Sequence, residues 1–196
     1  MSGPLESKAE IRRRLRAAFQ ALTPADRQDA SLRLCHHLLA LPQWASAGSI
    51  LAFVPTRTEP DIWPAIVTAL AEGQRILLPR FEPAAGVYET RELRDPATDL
   101  HPGPYGIPEP RPNAPKGDVK QLDFILVPGV AFTALGGRLG RGKGYYDRLL
   151  ADAMGIKCGV AFDWQLMPEF PLEPHDVRLD LMVTPTRSWN TAAGCP

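Results

Sequence analysis

Phe124-Ile125-Leu126-Val127-Pro128-Gly129 leads, after a short interval, into Gly136-Gly137-Arg138-Leu139-Gly140-Arg141-Gly142-Lys143-Gly144 and then Tyr145-Tyr146-Asp147. The first stretch is a continuous apolar run closed by Pro-Gly, as expected of a strand buried on both faces of a sheet. Tyr145 to Met154 reads as a helix. A buried strand feeding a glycine-rich loop and then a helix predicts an α/β fold. In such sheets ligands sit beyond the C-terminal strand ends, which is where this loop falls.

Working outward, Ser49-Ile50-Leu51-Ala52-Phe53-Val54 is a second buried run. Asp61 to Glu72 follows as a helix, with Pro64 in its first turn and Gly73 past its end. Arg75 to Pro79 is the next strand, and Val87 to Arg91 is a more exposed one with alternating faces. Cys158 to Phe162 and Leu181 to Thr184 complete the strands.

Toward the N-terminus, Leu5, Ile11, Leu15, Ala18 and Leu22 recur at helical spacing. Thr23-Pro24 supplies an N-cap and a first-turn proline for a second helix to about Ala40. That helix offers Leu32, Leu34, Leu38 and Leu39 to the core. This alternation predicts a mostly parallel sheet covered by helices. Residues 95–118 read as a long Pro- and Gly-rich loop, of a kind that is usually functional or mobile. One domain is expected over 1–186, with 187–196 as a C-terminal tail.

Composition narrows the function. The chain has 196 residues, with 22 Lys and Arg against 22 Asp and Glu. This even balance argues against a non-specific nucleic-acid or membrane-surface binder. No apolar run approaches the roughly 20 residues that span a bilayer. The first residues, MSGPLESKAEIRRRL, lack a signal-peptide core. Cys35, Cys158 and Cys195 are widely separated, which excludes a disulfide framework and a thiolate zinc site and suits a reducing cytoplasm.

The glycine-rich block carries the chemistry. Glycines let backbone N–H groups approach an anion, and Arg138, Arg141 and Lys143 add charge and directed donors. A polyphosphate is the anion that fits. Gly137 to Lys143 matches G-x-x-x-x-G-K, but Gly144 stands where a Walker loop has Ser or Thr, the usual Mg²⁺ contact. Asp147 is the nearest alternative metal ligand, weighed evenly against an ordinary first-turn helix acid. A second carboxylate could come from Asp176 or Asp180, which read equally as part of a polar turn, and His175 could be a base but is more often a surface or capping histidine. Lys8 and Arg12 share a helix face and alone would be solvated cations. Glu59, just past a strand end, could read substrate N–H groups or serve as a helix N-terminal acid. A dinucleotide loop is the weaker reading, because G-x-G-x-x-G is not satisfied and the cations suit phosphates better.

Taken together, these segments resemble the 5-formyltetrahydrofolate cyclo-ligase (methenyltetrahydrofolate synthetase) family. The carrying stretches are Leu126 to Phe132 and Gly137 to Asp147. Lys8-x-x-x-Arg12, Phe53-Val54-Pro55 with Glu59, Gly106 to Pro110 and His175-Asp176 support them. The resemblance implies a three-layer α/β/α fold with a mostly parallel sheet, of the ribose-5-phosphate isomerase and CoA-transferase type. It implies ATP as co-substrate and Mg²⁺, with 5-formyltetrahydrofolate, polyglutamylated forms included, as substrate.

By that resemblance ATP would be held by Lys8, Arg12, Arg138, Leu139, Gly140, Arg141, Gly142, Lys143, Gly144, Tyr145 and Tyr146. Asp147 and Asp176 would hold Mg²⁺. Val54, Glu59 and Tyr105, with Arg141 to Tyr145, would border the folate. Lys143, Arg141 and Tyr145 form the catalytic set. A monomer without nucleic-acid or membrane partners is expected. The rival readings are another small-molecule kinase or ligase on this fold, and a non-catalytic binding relative, against which the intact loop counts.

Overall fold

The apolar runs become the interior of one eight-stranded sheet in the computed structural model, which describes residues 6–173 and 176–193. Its strands are β1 (Ser49–Leu51), β2 (Arg75–Glu82), β3 (Val87–Leu93), β4 (Lys116–Gly117), β5 (Phe124–Val127), β6 (Ile156–Val160), β7 (Leu181–Val183) and β8 (Ser188–Asn190). They lie in the order β8-β7-β6-β5-β1-β2-β3-β4. Strands β7 to β2 of that order are parallel, with Ile50 level with both Ile76 and Phe124. Strands β8, β3 and β4 join antiparallel at the edges.

Alternation along each strand divides the core between the two faces. Ile50, Ile76, Leu78, Phe124 and Leu126 pack with residues of α2 (Pro24–Leu39) and α3 (Trp63–Ala71). Leu51, Leu77, Ile125 and Val127 pack with Leu149 and Leu150 of α4 (Tyr145–Ala151). The result is a three-layer α/β/α arrangement with a mostly parallel sheet. Among the described residues no helix is long and apolar enough to cross a membrane.

Helix α1 (Lys8–Gln20) opens on a reciprocal cap, with Ser7 and Glu10 each bonding the other's backbone N–H. Its Ile11 and Leu15 pack against Ala131, Leu139 and Phe170. Ala131–Thr133, Arg138–Leu139 and Leu166–Met167 form a separate small sheet. This packing sets α1 beside the glycine-rich segment.

Several local expectations change. Leu32 is 52% exposed while Leu34 and Leu38 are fully buried, because a 3.6-residue period aligns 34 with 38 and swings 32 away. Leu5 lies outside the described residues. The strand expected at Cys158 to Phe162 starts earlier, at Ile156, whose N–H bonds the Asp123 carbonyl.

Residues 95–118 are not a bare loop. Asp95 and Asp99 accept local backbone N–H bonds that fix the helical turn Pro96–Asp99. Leu100–Pro102 then pairs with Pro108–Pro110, and β4 follows. Residues 188–190, read as tail from the sequence, form edge strand β8, and the indole N–H of buried Trp189 bonds the Ala134 carbonyl at 2.9 Å.

Candidate active site

Beyond the ends of β1 and β5 the chain opens around a cavity of about 370 Å³. Its walls come from Val54 and Glu59 after β1, Pro128 and Gly129 after β5, Tyr88 of β3, and the glycine-rich segment. The segment is a built structure. Arg138–Leu139 pairs antiparallel with Ala131–Phe132, and Gly137 N–H bonds the buried Thr133 hydroxyl at 2.9 Å. The chain must then reverse into α4. Gly142 and Gly144 do this at φ +95° and +65°, conformations that side-chain-bearing residues rarely adopt.

The three loop cations have different surroundings. Arg138 is 4% exposed and donates to the Asp147 carboxylate and to the Pro128 carbonyl. Arg141 is 53% exposed and directs one amino nitrogen at the Thr56 and Thr58 hydroxyls (2.7 and 2.9 Å) and at Glu59 (2.9 Å). Lys143 is exposed, with its ammonium 5.9 Å from the centre of the Tyr145 ring. Tyr145 also packs on Phe81 and Tyr88 and carries the Arg148 guanidinium at 5.1 Å.

Glu59 is buried and engaged on both oxygens: one takes Arg141, the other the Thr56 N–H and hydroxyl. The Tyr146 hydroxyl is buried beside the cavity, with no hydrogen-bond partner among the described residues. Burial, followed by the nearby Glu59 charge, raises its pKa well above that of an ordinary phenol. It is therefore a donor without an acceptor, placed where a ligand would supply one.

Most of the expected residues converge. Val54, Glu59, Arg138, Gly140 to Gly144, Tyr145, Tyr146 and Asp147 all line the one cavity. Others are placed differently. Leu139 is buried in the small sheet against α1. Arg12 donates Nε–H to the Gly140 carbonyl at 2.9 Å, so it braces the loop from α1. It also lines an adjoining hollow of about 180 Å³ with Arg16, Phe19, Arg141 and Trp164.

Lys8 pairs with Glu173 at 2.9 Å and Asp176 at 3.3 Å, and the Glu173 bond is the main reason its pKa is raised. Asp176 also accepts the Glu173 N–H and is not among the cavity's lining residues. Asp147 and Asp176 thus sit in different neighbourhoods. Among the described residues no group of three or more His, Cys, Asp or Glu could hold a metal. His175 and the Tyr105 side chain lie outside what the structure describes.

Sequence reasoning missed Glu109, Tyr88 and Thr56 as cavity residues. Glu109 lay within a segment already singled out, Gly106 to Pro110, but nothing in its local pattern marked it as facing inward. Tyr88 could have been found from the alternation of β3.

Nearly the whole chain is also similar to known proteins. The profile of the 5-formyltetrahydrofolate cyclo-ligase family matches residues 4–185. The 5-formyltetrahydrofolate cyclo-ligase of Mycolicibacterium smegmatis is 35% identical over 188 residues, covering 92% of this chain and 95% of that protein. The Escherichia coli K12 enzyme of the same name is 31% identical, covering 89% and 98%. In structure, Aquifex aeolicus 5,10-methenyltetrahydrofolate synthetase superposes with a TM-score of 0.86 at 31% identity, over 96% of this chain and 95% of that one. The chain belongs to the 5-formyltetrahydrofolate cyclo-ligase family.

Proposed function

We propose that this chain uses ATP and Mg²⁺ to cyclise 5-formyltetrahydrofolate to 5,10-methenyltetrahydrofolate, releasing ADP and phosphate. The observation that carries the reading is the shared cavity. A glycine-rich anion loop and a pocket with aromatic and carboxylate walls line the same 370 Å³ space, within the usual range of about 300–1,000 Å³ for small-ligand sites.

The N5-formyl group is an amide, and its oxygen is a poor leaving group. Attack of that oxygen on the γ-phosphorus forms an O–P bond and expels ADP. N10 then attacks the imidate carbon and loses its proton, and phosphate departs with the former formyl oxygen. The product is the N5–CH–N10 amidinium. Positioning and neutralisation of charge are the protein's tasks here. Lys143, Arg141 and the amides of Gly140 to Gly144 serve the phosphates. Arg141 reaches them by leaving Glu59, while Arg12 keeps the loop in place. Tyr145 and Val54 border the folate.

Mg²⁺ would add charge neutralisation at the phosphates. One or two carboxylates with waters and phosphate oxygens suffice to hold it, and Asp147, 25% exposed at the cavity wall, fits that part. Asp176 would need to act from outside the cavity lining. The described cysteines, Cys35 and Cys158, are free and buried, which suits a reducing compartment.

The test is near-ultraviolet absorbance of the protein with 5-formyltetrahydrofolate, ATP and Mg²⁺, with each omitted in turn. A band that requires all three is expected, because the amidinium product has an extended chromophore. A band that forms without ATP, or no band from protein that binds both ligands, would overturn the reading.

A further inference from the structure

The cavity contains a third carboxylate, beside Glu59 and Asp147, that the mechanism above leaves unused. Glu109 lines the space and is only 6% exposed. It is held firmly: a Cβ at Gly103 would stand 2.7 Å from its Cγ and 2.9 Å from its Cδ, so the backbone at 103 presses directly on the side chain. The basic side chains that bear on its carboxyl are Arg80 and His101, neither of them part of the glycine-rich loop. Arg80 Nε and His101 Nε2 are themselves buried without hydrogen-bond partners among the described residues. Glu109 accepts the Phe81 N–H, whereas Glu59 is bonded on both oxygens, to Arg141 on one and to the Thr56 N–H and hydroxyl on the other. Even if Arg141 turned to phosphate, it would release one Glu59 oxygen only.

A reduced pterin presents two parallel donors on one edge, the 2-amino group and N3–H. The matching acceptor is a carboxylate, whose roughly four lone-pair sites let Glu109 take both donors while it keeps the Phe81 N–H, in the way a guanidinium meets a carboxylate. The glutamate end of a folate is anionic and needs the opposite sign. We infer that Glu109 is a specificity residue whose carboxylate receives the 2-amino and N3–H edge of the pterin, orienting the folate with its glutamate end away from this wall. The inference rests on the cyclo-ligase reading above. Burial is the largest influence on Glu109 and raises its pKa above the ordinary carboxylate value, with Arg80, His101 and the Phe81 amide opposing it. This marks a carboxylate poorly compensated until donors arrive.

The experiment compares wild type and Glu109→Gln for binding of 5-formyltetrahydrofolate, its 2-desamino-2-methyl counterpart and a non-hydrolysable ATP analogue, with thermal melting of both proteins. Wild type should prefer the parent folate by about 10- to 100-fold. Glu109→Gln should lose about that factor for the parent, change little for the desamino compound, and keep nucleotide affinity and melting temperature. Equal affinity of wild type for both folates would overturn the inference without any variant. So would an unchanged Glu109→Gln, or one that weakens both folates alike, since that marks a structural role. Failure of wild type to bind either folate while binding nucleotide would remove the cyclo-ligase reading, and this inference with it.

Discussion

Arg138 and Arg141 stand three residues apart on one loop, yet they belong to different parts of the molecule. Arg138 lies in the buried stem, bonded to Asp147 and to a main-chain carbonyl. Arg141 lies on the exposed crest, sharing one nitrogen among two hydroxyls and a carboxylate. A buried ion pair broken on one side leaves an uncompensated charge, whereas an exposed guanidinium exchanges partners at little cost, and buried Glu59 keeps its two Thr56 donors when Arg141 leaves. The stem therefore holds the loop's shape, and the crest offers its charge to a ligand.

The largest expected effect comes from Arg138→Ala. It strands Asp147 and should lower stability by about 3 kcal/mol in a denaturant titration. Unchanged stability with lost ATP affinity would instead place Arg138 at the phosphates and break the division. Next is Lys143→Ala on the crest. It should reduce turnover by about 100-fold with unchanged unfolding, as for loss of one preorganised charge; equal kinetics would take this lysine out of the site.

Asp147→Asn sits between the two regions. It should cost about 2 kcal/mol, because Arg138 loses its counterion, and should shift the Mg²⁺ concentration needed for half-maximal turnover. A stability loss with an unaltered Mg²⁺ response would make Asp147 a partner of Arg138 only. The smallest effect on stability is that of Arg141→Ala, within about 1 kcal/mol, accompanied by a raised KM for ATP. A larger loss of stability would show that the crest is also structural.

The division between stem and crest was not legible in the sequence. Glycines alternating with cations announce an anion loop, and buried runs at 49–54 and 124–129 announce the parallel sheet that carries it. Which cation turns inward depends on a two-residue strand, Arg138–Leu139, too short to leave a periodic signature. Partners far along the chain were equally silent: Lys8 meets Glu173 and Asp176 across 165 and 168 residues. Glu109 is buried by an antiparallel pair of three-residue strands within a Pro-rich stretch, where local composition suggested only loop.

The base of the glycine-rich turn is fastened from an unexpected direction. Leu179 N–H bonds the Gly136 carbonyl at 3.0 Å, Thr191 closes on the Leu179 and Asp180 carbonyls, and Trp189 holds Ala134. A ribosome delivers residues 179–191 after everything they secure. A nascent chain can therefore assemble β1, β2 and β5 while its glycine-rich loop still lacks an anchor. The turn would be fully secured only once residues 179–191 have emerged, and a chain stopped before residue 188 would keep the Leu179 bond to Gly136 while losing the Trp189 and Thr191 contacts that reinforce it.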